Sequence, residues 1–261
     1  MRSPTITSTI RQLINEGIKV STVLDVGTAK QTWPLQEVFP DKKHILFEPC
    51  VEFKTACEKD YEKHEIDYEL YNIALSDFND LNGQLFYNVH SDSHRADGYL
   101  EADIGVNYIW AGVVPRGEED YHGNNHPKRD MRIATLDTFL VDKNYDKPYY
   151  LKIDTDGGEM GVIRGAQNTL KYCSMIQIES CLYKDLEHTA WGNINWLESI
   201  GFQLWDVVDL HYTDNRLWQV DLVFIPTQEF KRIGEQKKKI DRKNKRYTFV
   251  RDDGEIVDFK P

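Results

Sequence analysis

Hydrophobic positions along this chain change period repeatedly, and the changes divide it into helices and short strands. Ile6, Ile10, Leu13 and Ile14 recur at helical spacing, which predicts an amphipathic helix over Ile6 to Glu16. Val23-Leu24-Asp25-Val26-Gly27 is a short apolar strand closing on a glycine, and His44-Ile45-Leu46-Phe47-Glu48-Pro49 repeats the pattern. Val51 to Tyr61 reads as the helix returning to the sheet, and Tyr68 to Leu75 as the third strand. Gln84 to Val89 forms an additional strand. Tyr149 and Tyr150 lead into the fourth main strand, Leu151 to Asp154, and Met175 to Glu179 is the fifth.

Alternation of strands with helices predicts an α/β fold around a mostly parallel sheet. The closing pair, Gln203 to Val208 and Gln219 to Ile225, is joined only by His211 to Trp218, too short for a helical crossover. Those two strands should therefore run antiparallel. Two segments fall outside the alternation. His90 to Arg129 is long for a connection and is rich in histidine, glycine and aromatic residues, which suits a loop shaping an acceptor pocket. Tyr247 to Phe259 alternates around Asp253-Gly254 and predicts a hairpin.

A length of 261 residues accommodates one sizeable core, so residues 1–228 are expected to form one domain, with 90–129 as an acceptor-side insertion and 229–261 as an appended extension. No stretch reaches the length of a membrane span, and Met1 to Ser21 lacks the apolar core of a signal peptide, so a cytoplasmic location is expected. Cys50, Cys57, Cys173 and Cys181 have neither C-x-x-C spacing nor disulfide density and read as reduced thiols. The net charge of -11 disfavours nucleic acid as a partner. Charge is uneven, however. Residues 231–246 carry nine Lys or Arg against Glu235 and Asp241, a run read first as a solvated helix and second as a nucleic-acid or acidic-glycan contact.

The chemistry concentrates at three strand ends. Ligands of open α/β sheets bind outside the carboxyl ends of the strands, and the fourth strand delivers Asp154, Asp156 and Glu159 there. The first strand ends at Gly27, where backbone can approach a ligand closely, and the next ends at Glu48, an acid suited to ribose hydroxyls. After Gly27 comes Thr28-Ala29-Lys30-Gln31-Thr32-Trp33, with no G-x-G-x-x-G to cradle a pyrophosphate. A dinucleotide is disfavoured, whereas S-adenosylmethionine offers ribose and adenine without phosphate.

The order of segments resembles the FkbM-type methyltransferases. VLDVG at 23–27, FEP at 47–49, NIALSD at 72–77, RIATLDTFL at 132–140, LKIDTDGGEMGVIRGA at 151–166, IQIES at 176–180 and QVDLVFI at 219–225 carry the resemblance. One departure is Gln31, which stands where the family loop has a second glycine. The resemblance implies a Rossmann-like class I methyltransferase sheet of seven strands, the last antiparallel, with helices on both faces. It also implies O-methyl transfer from S-adenosylmethionine to a hydroxyl of a carbohydrate or related small metabolite.

On that expectation Asp25, Gly27, Thr28, Glu48, Asn72, Ala74 and Asp77 are the cofactor-binding candidates. Asp25 and Asp156 also have structural readings, the first holding loop amides and the second capping a helix. Asp154, Asp156, His90 and His94 are the candidates for the base that takes the acceptor proton. Asp154 and Glu179, at neighbouring strand ends, could share Mg2+ or another divalent cation. His90, Asp92 and His94 alternate and form a second possible ligand set, against the plainer reading of a polar loop. Tyr108 and Trp110 could stack on a sugar or pin the loop to the core. A non-catalytic cofactor- or glycan-binding protein, a nicotinamide oxidoreductase and a nucleic-acid methyltransferase using the basic tail stay open as rivals. The oligomeric state is open as well, a homodimer among the options.

Overall fold

A computed structural model of the chain describes residues 5–90, 108–119, 126–183, 189–241, 247–250 and 256–259. The first helix, α1 (Ile6–Asn15), starts at a capping box in which Ser8 N donates to Thr5 Oγ1 at 3.2 Å and Thr5 N donates to Ser8 Oγ at 3.0 Å. Its buried face is Ile6, Thr9, Ile10 and Leu13. Ile14, expected on that face, is exposed, and Thr9 takes the place because its hydroxyl donates to Asp206 Oδ2 at 2.6 Å.

Strands and helices then alternate: β1 (Thr22–Val26), α2 (Trp33–Val38), β2 (Lys43–Phe47), α3 (Val51–Lys63) and β3 (Tyr68–Tyr71). The expected third strand stops four residues early. Asn72 Nδ2 donates to the carbonyls of Glu48 and Pro49 at 2.7 and 3.0 Å, and the chain crosses into a second sheet as β4 (Ala74–Leu75). That sheet has the order β4, β7 (Lys128–Ala134), β5 (Asp80–His90), β6 (Tyr108–Val114). The stretch expected as a loop thus contributes strand β6 and the start of β7. The second sheet buries Leu85, Met131 and Ile133 against Cys50 and Phe53 at the start of α3.

Beyond α4 (Leu136–Leu140) the main sheet resumes with β8 (Tyr149–Ile153), α5 (Glu159–Arg164), β9 (Cys173–Cys181), α6 (Ala190–Ser199), β10 (Phe202–Thr213) and β11 (Arg216–Pro226). Its order is β10-β11-β9-β8-β1-β2-β3. Every pairing from β9 to β3 is parallel, and β11 alone runs against both neighbours. This is the Rossmann-like class I methyltransferase sheet with one reversed strand. Asp214 and Asn215, both at positive φ, make the two-residue turn that closes β10 onto β11.

Side chains alternate across the strands and build two cores. Leu24, Val26, Leu151 and Ile153 pack with α4, α5 and α6 on one face. Val23, Tyr150, Met175 and Val223 pack with α1, α2 and α7 (Thr227–Asp241) on the other, where α3 adds Cys57 and Tyr61 against Leu46. At the C terminus β12 (Tyr247–Val250) pairs antiparallel with β13 (Ile256–Phe259). Since β1 lies between β2 and β8, the strand order reverses beside it. The crevice at that reversal is where an open α/β sheet receives its ligand.

Candidate active site

The floor of the crevice is a buried polar row across three strands. Parallel register sets Asp25 of β1 beside Lys152 of β8, and Lys152 beside Gln177 of β9. Lys152 Nζ lies 3.2 Å from Asp25 Oδ1 and 3.3 Å from Asp154 Oδ2, and it donates to the carbonyl of Gly27 at 2.7 Å. Burial pulls the lysine pKa down, but the charges of Asp154 and Asp25 outweigh it and hold the ammonium above its ordinary value. Asp25 is fully buried and neither oxygen has a hydrogen-bond partner, so the ion pair is what holds it. It is not among the residues that line the cavity above the row.

Gly27 turns the chain out of β1 at φ 80. A Cβ there would sit 1.7 Å from the carbonyl oxygen of Asp154, so the first and fourth strand ends approach as closely as they do only because this residue is glycine. Thr28 is buried behind the turn, its hydroxyl donating to the Asp25 carbonyl at 3.2 Å.

Glu48 ends β2 facing the same space. Its Oε2 accepts from Ala29 N and its Oε1 from Cys50 N, both at 2.7 Å, which ties the post-β1 loop to the start of α3. Burial pushes this carboxyl up to about 7, against the opposing pull of the two amides. Each oxygen keeps a second lone pair for a ligand hydroxyl.

A cavity of about 870 Å³ opens above these groups. Its lining includes Gly27, Thr28, Glu48, Ala74, Asp154 and Asp156 from the sequence candidates, and Glu179 as well. Asn72 and Asp77 are not brought to it. Asn72 uses its amide on the Glu48 and Pro49 carbonyls, and Asp77 sits beside Ser76, whose backbone packs against Gly165. His94 and Asp92 lie outside the described residues, and of His90, Tyr108 and Trp110 the backbone alone is described, in β5 and β6.

The Asp154–Glu159 turn divides its three carboxylates between two tasks. Glu159 points inward, accepting from Gly157 N at 2.8 Å, Thr155 N at 3.2 Å and Thr155 Oγ1 at 3.3 Å, so it organises the turn. Asp156, at φ 53, and Asp154 face the cavity. The capping role weighed for Asp156 is not taken by a side chain, since Gly158 is the N-cap of α5 and the Glu159 bonds go to the turn that precedes the helix.

At the far side of the cavity Glu179 of β9 pairs in register with Asp221 of β11. Gln219 Nε2 donates to Glu179 Oε2 at 3.1 Å. Burial, then the charges of Asp154, Asp156, Glu159 and Asp221, drive Glu179 well above the carboxylate range. Burial also raises Asp221 to about 7, helped by the charge of Asp154 and opposed by a Gln177 hydrogen bond. This donor set does not suit the expected cation shared by Asp154 and Glu179. Asp154 is already paired with Lys152, and among the described residues no three His, Cys, Asp or Glu are grouped to hold a metal ion.

Sequence reasoning missed Lys152, Gln177, Asp209, Gln219 and Asp221, all cavity-lining. For Lys152 a signal existed, since a lysine inside Tyr149–Ile153 has to find a partner when the strand is buried on both faces. The others become visible only through strand register.

The sequence model of the Methyltransferase FkbM domain matches residues 25–204. No curated protein matches the chain. Similar solved structures include precorrin-6y C5,15-methyltransferase from Geobacter metallireducens, at 9% identity and TM-score 0.43 over 84% of this chain and 87% of that one. Magnesium protoporphyrin IX methyltransferase from Synechocystis, with bound S-adenosylmethionine, has 8% identity and TM-score 0.44 over 85% and 77%. A methyltransferase from Pyrococcus furiosus has 11% identity and TM-score 0.37 over 84% and 82%. The domain match begins at Asp25, takes in Glu48 and the whole Asp154–Glu159 turn, and spans well over half of the sequence, so the chain belongs to the FkbM methyltransferase family.

Proposed function

We propose that the protein transfers a methyl group from S-adenosylmethionine to a hydroxyl oxygen of a carbohydrate or related small metabolite. The observation that carries this reading is Glu48, a carboxylate at the end of β2 that lines the cavity beside the Gly27 turn. That pair suits a ribose, and no run of glycines after Gly27 offers a pyrophosphate its cradle. When bound, S-adenosylmethionine supplies an electrophilic methyl group on a sulfonium.

Glu48 would accept the ribose hydroxyls, and the cavity wall at Ala74 and Leu75 would pack against the adenine. Methyl transfer is an in-line displacement, so much of the rate comes from holding the acceptor oxygen in position. Asp154 is the residue we assign to that oxygen. Its carboxylate reaches the cavity, Lys152 fixes it from one side, and it can accept the hydroxyl proton as the new bond forms. Asp156 is the alternative base.

The test is transfer of a labelled methyl group to a panel of hydroxyl-bearing acceptors. Asp154→Asn should lower kcat at least about a hundredfold while binding S-adenosylhomocysteine normally. Unchanged turnover in that variant would move the role to Asp156 or to a residue outside the described set.

A further inference from the structure

The loop between β1 and α2 forms one wall of the cavity, with Thr28, Ala29, Lys30, Gln31 and Thr32 all lining it. Little within the loop fixes it there. Ala29 adopts φ 50, a left-handed conformation that is unfavourable for a residue with a Cβ and persists only where its surroundings enforce it. The helix that follows is a weak anchor, since α2 has six residues and Thr32 at its N-cap makes no side-chain capping bond.

Two carboxylates from outside the loop fix it instead. Glu48 accepts from Ala29 N. The second is Asp60 of α3, which is not among the residues lining the cavity. Gln36 of α2, itself buried, donates from Nε2 to Asp60 Oδ2 at 2.7 Å. With its amide nitrogen turned toward α3, Gln31 donates to Asp60 Oδ1 and Oδ2 at 3.0 and 3.2 Å. Asp60 thus joins the loop and α2 from one point on α3, and α3 also supplies, through Cys50 N, the other amide on Glu48. Gln31 is the position at which this chain departs from the family loop, and a glycine there would offer Asp60 no side-chain donor.

We propose that Gln31 and Asp60 are positioning residues for the cofactor, their pairing fixing the loop so that Ala29 N stays on Glu48 and the Glu48 carboxylate keeps its aim at the ribose. The inference rests on the S-adenosylmethionine reading above and adds to it a residue, Asp60, that acts on the ligand only through the loop. Hydrogen bonds to a charged acceptor are stronger than neutral ones, but Gln31 is exposed and water competes for its amide, so the effect on affinity is moderate. Gln31 also lines the cavity, which leaves direct contact with the ligand as the rival account. The rival gives Asp60 no part.

The test is calorimetric titration of S-adenosylhomocysteine into the full chain carrying Gln31→Leu, Gln31→Glu, Asp60→Asn, or Gln31→Glu together with Asp60→Asn. Gln31→Leu removes the donor and should weaken binding about fivefold. Gln31→Glu sets two carboxylates against each other and should weaken it about tenfold. Asp60→Asn keeps an acceptor for Gln36 and presents an amide that a turned Gln31 side chain can meet, so affinity should stay within about threefold of the wild type. In the double variant the donor and acceptor trade places at the wild-type net charge, and affinity should likewise return to within about threefold. Circular dichroism should match the wild type throughout. Wild-type affinity in both Gln31→Leu and Gln31→Glu would overturn the inference, and so would a double variant as weak as Gln31→Glu, which would show Gln31 meeting the ligand itself. Either result leaves the methyltransferase reading standing, because the wild type still binds. Failure of S-adenosylhomocysteine to bind the wild type would overturn both.

Discussion

Lys152 and Asp25 face each other across β8 and β1 with Nζ 3.2 Å from Oδ1, and both are almost completely shut off from solvent. A charge in that position is tolerable only with its partner present, because an uncompensated buried ion is far more costly than a missing pair. Lys152→Met should therefore destabilise the protein by about 3–5 kcal/mol in urea unfolding, while Lys152→Met with Asp25→Leu should regain much of the loss. A single variant as stable as the wild type would show that the pair does not hold the floor of the site.

Gly27→Ala should be more damaging to function than its size suggests. The added Cβ meets the Asp154 carbonyl at 1.7 Å, and φ 80 adds about 1–2 kcal/mol of backbone strain. The strand ends must part, which moves both the cofactor loop and Asp154. Loss of S-adenosylhomocysteine binding in a variant that still folds, followed by calorimetry and circular dichroism, is the expected outcome; normal binding would contradict it.

The raised carboxyl of Glu48 has a signed pH consequence. Its ordinary value is 4.5 and its folded value about 7, so the folded chain binds the proton more tightly. The associated stability is fully present below 4.5 and is lost as pH rises through about 7, up to about 3 kcal/mol for this one group. Asp221, raised to about 7 as well, adds to the slope in the same direction. Cofactor affinity should run the other way, rising between pH 6 and 8 as Glu48 ionises to accept the ribose hydroxyls. Glu48→Gln should flatten the affinity profile, and thermal unfolding with binding at several pH values checks both trends.

Glu159→Ala should disorder the turn that carries Asp154 and Asp156. It removes the acceptor for Gly157 N, Thr155 N and Thr155 Oγ1, a cost of about 2 kcal/mol. Because Glu159 faces inward, activity should fall through kcat with little change in cofactor affinity. A loss confined to cofactor affinity would assign Glu159 to the ligand surface instead.

Strand positions were legible where periodicity is local. The apolar runs at Val23–Gly27, Leu151–Asp154 and Gln219–Ile225 became β1, β8 and β11, and the short His211–Trp218 connection was enough to demand the antiparallel pair. The second sheet was not legible. Tyr68–Leu75 reads as one strand, and it divides because the Asn72 side chain clamps two carbonyls of a distant loop, a contact no local pattern announces. The site divides in the same way. Gly27, Glu48 and Asp154 stand at strand ends and could be named from the chain, whereas Asp221 and Gln219 reach the cavity by pairing across from β9, and Asp209 by a bulge. Glu159 was placed in the right turn, but its direction depends on three amide and hydroxyl donors that only the folded turn presents.

The central claim is that the cavity above Gly27 and Glu48 is an S-adenosylmethionine site, and calorimetric titration with S-adenosylhomocysteine on the wild type and Glu48→Ala tests it most directly. One-to-one binding that weakens at least about tenfold in Glu48→Ala is the predicted result. No binding by the wild type, or equal binding by both proteins, would contradict it.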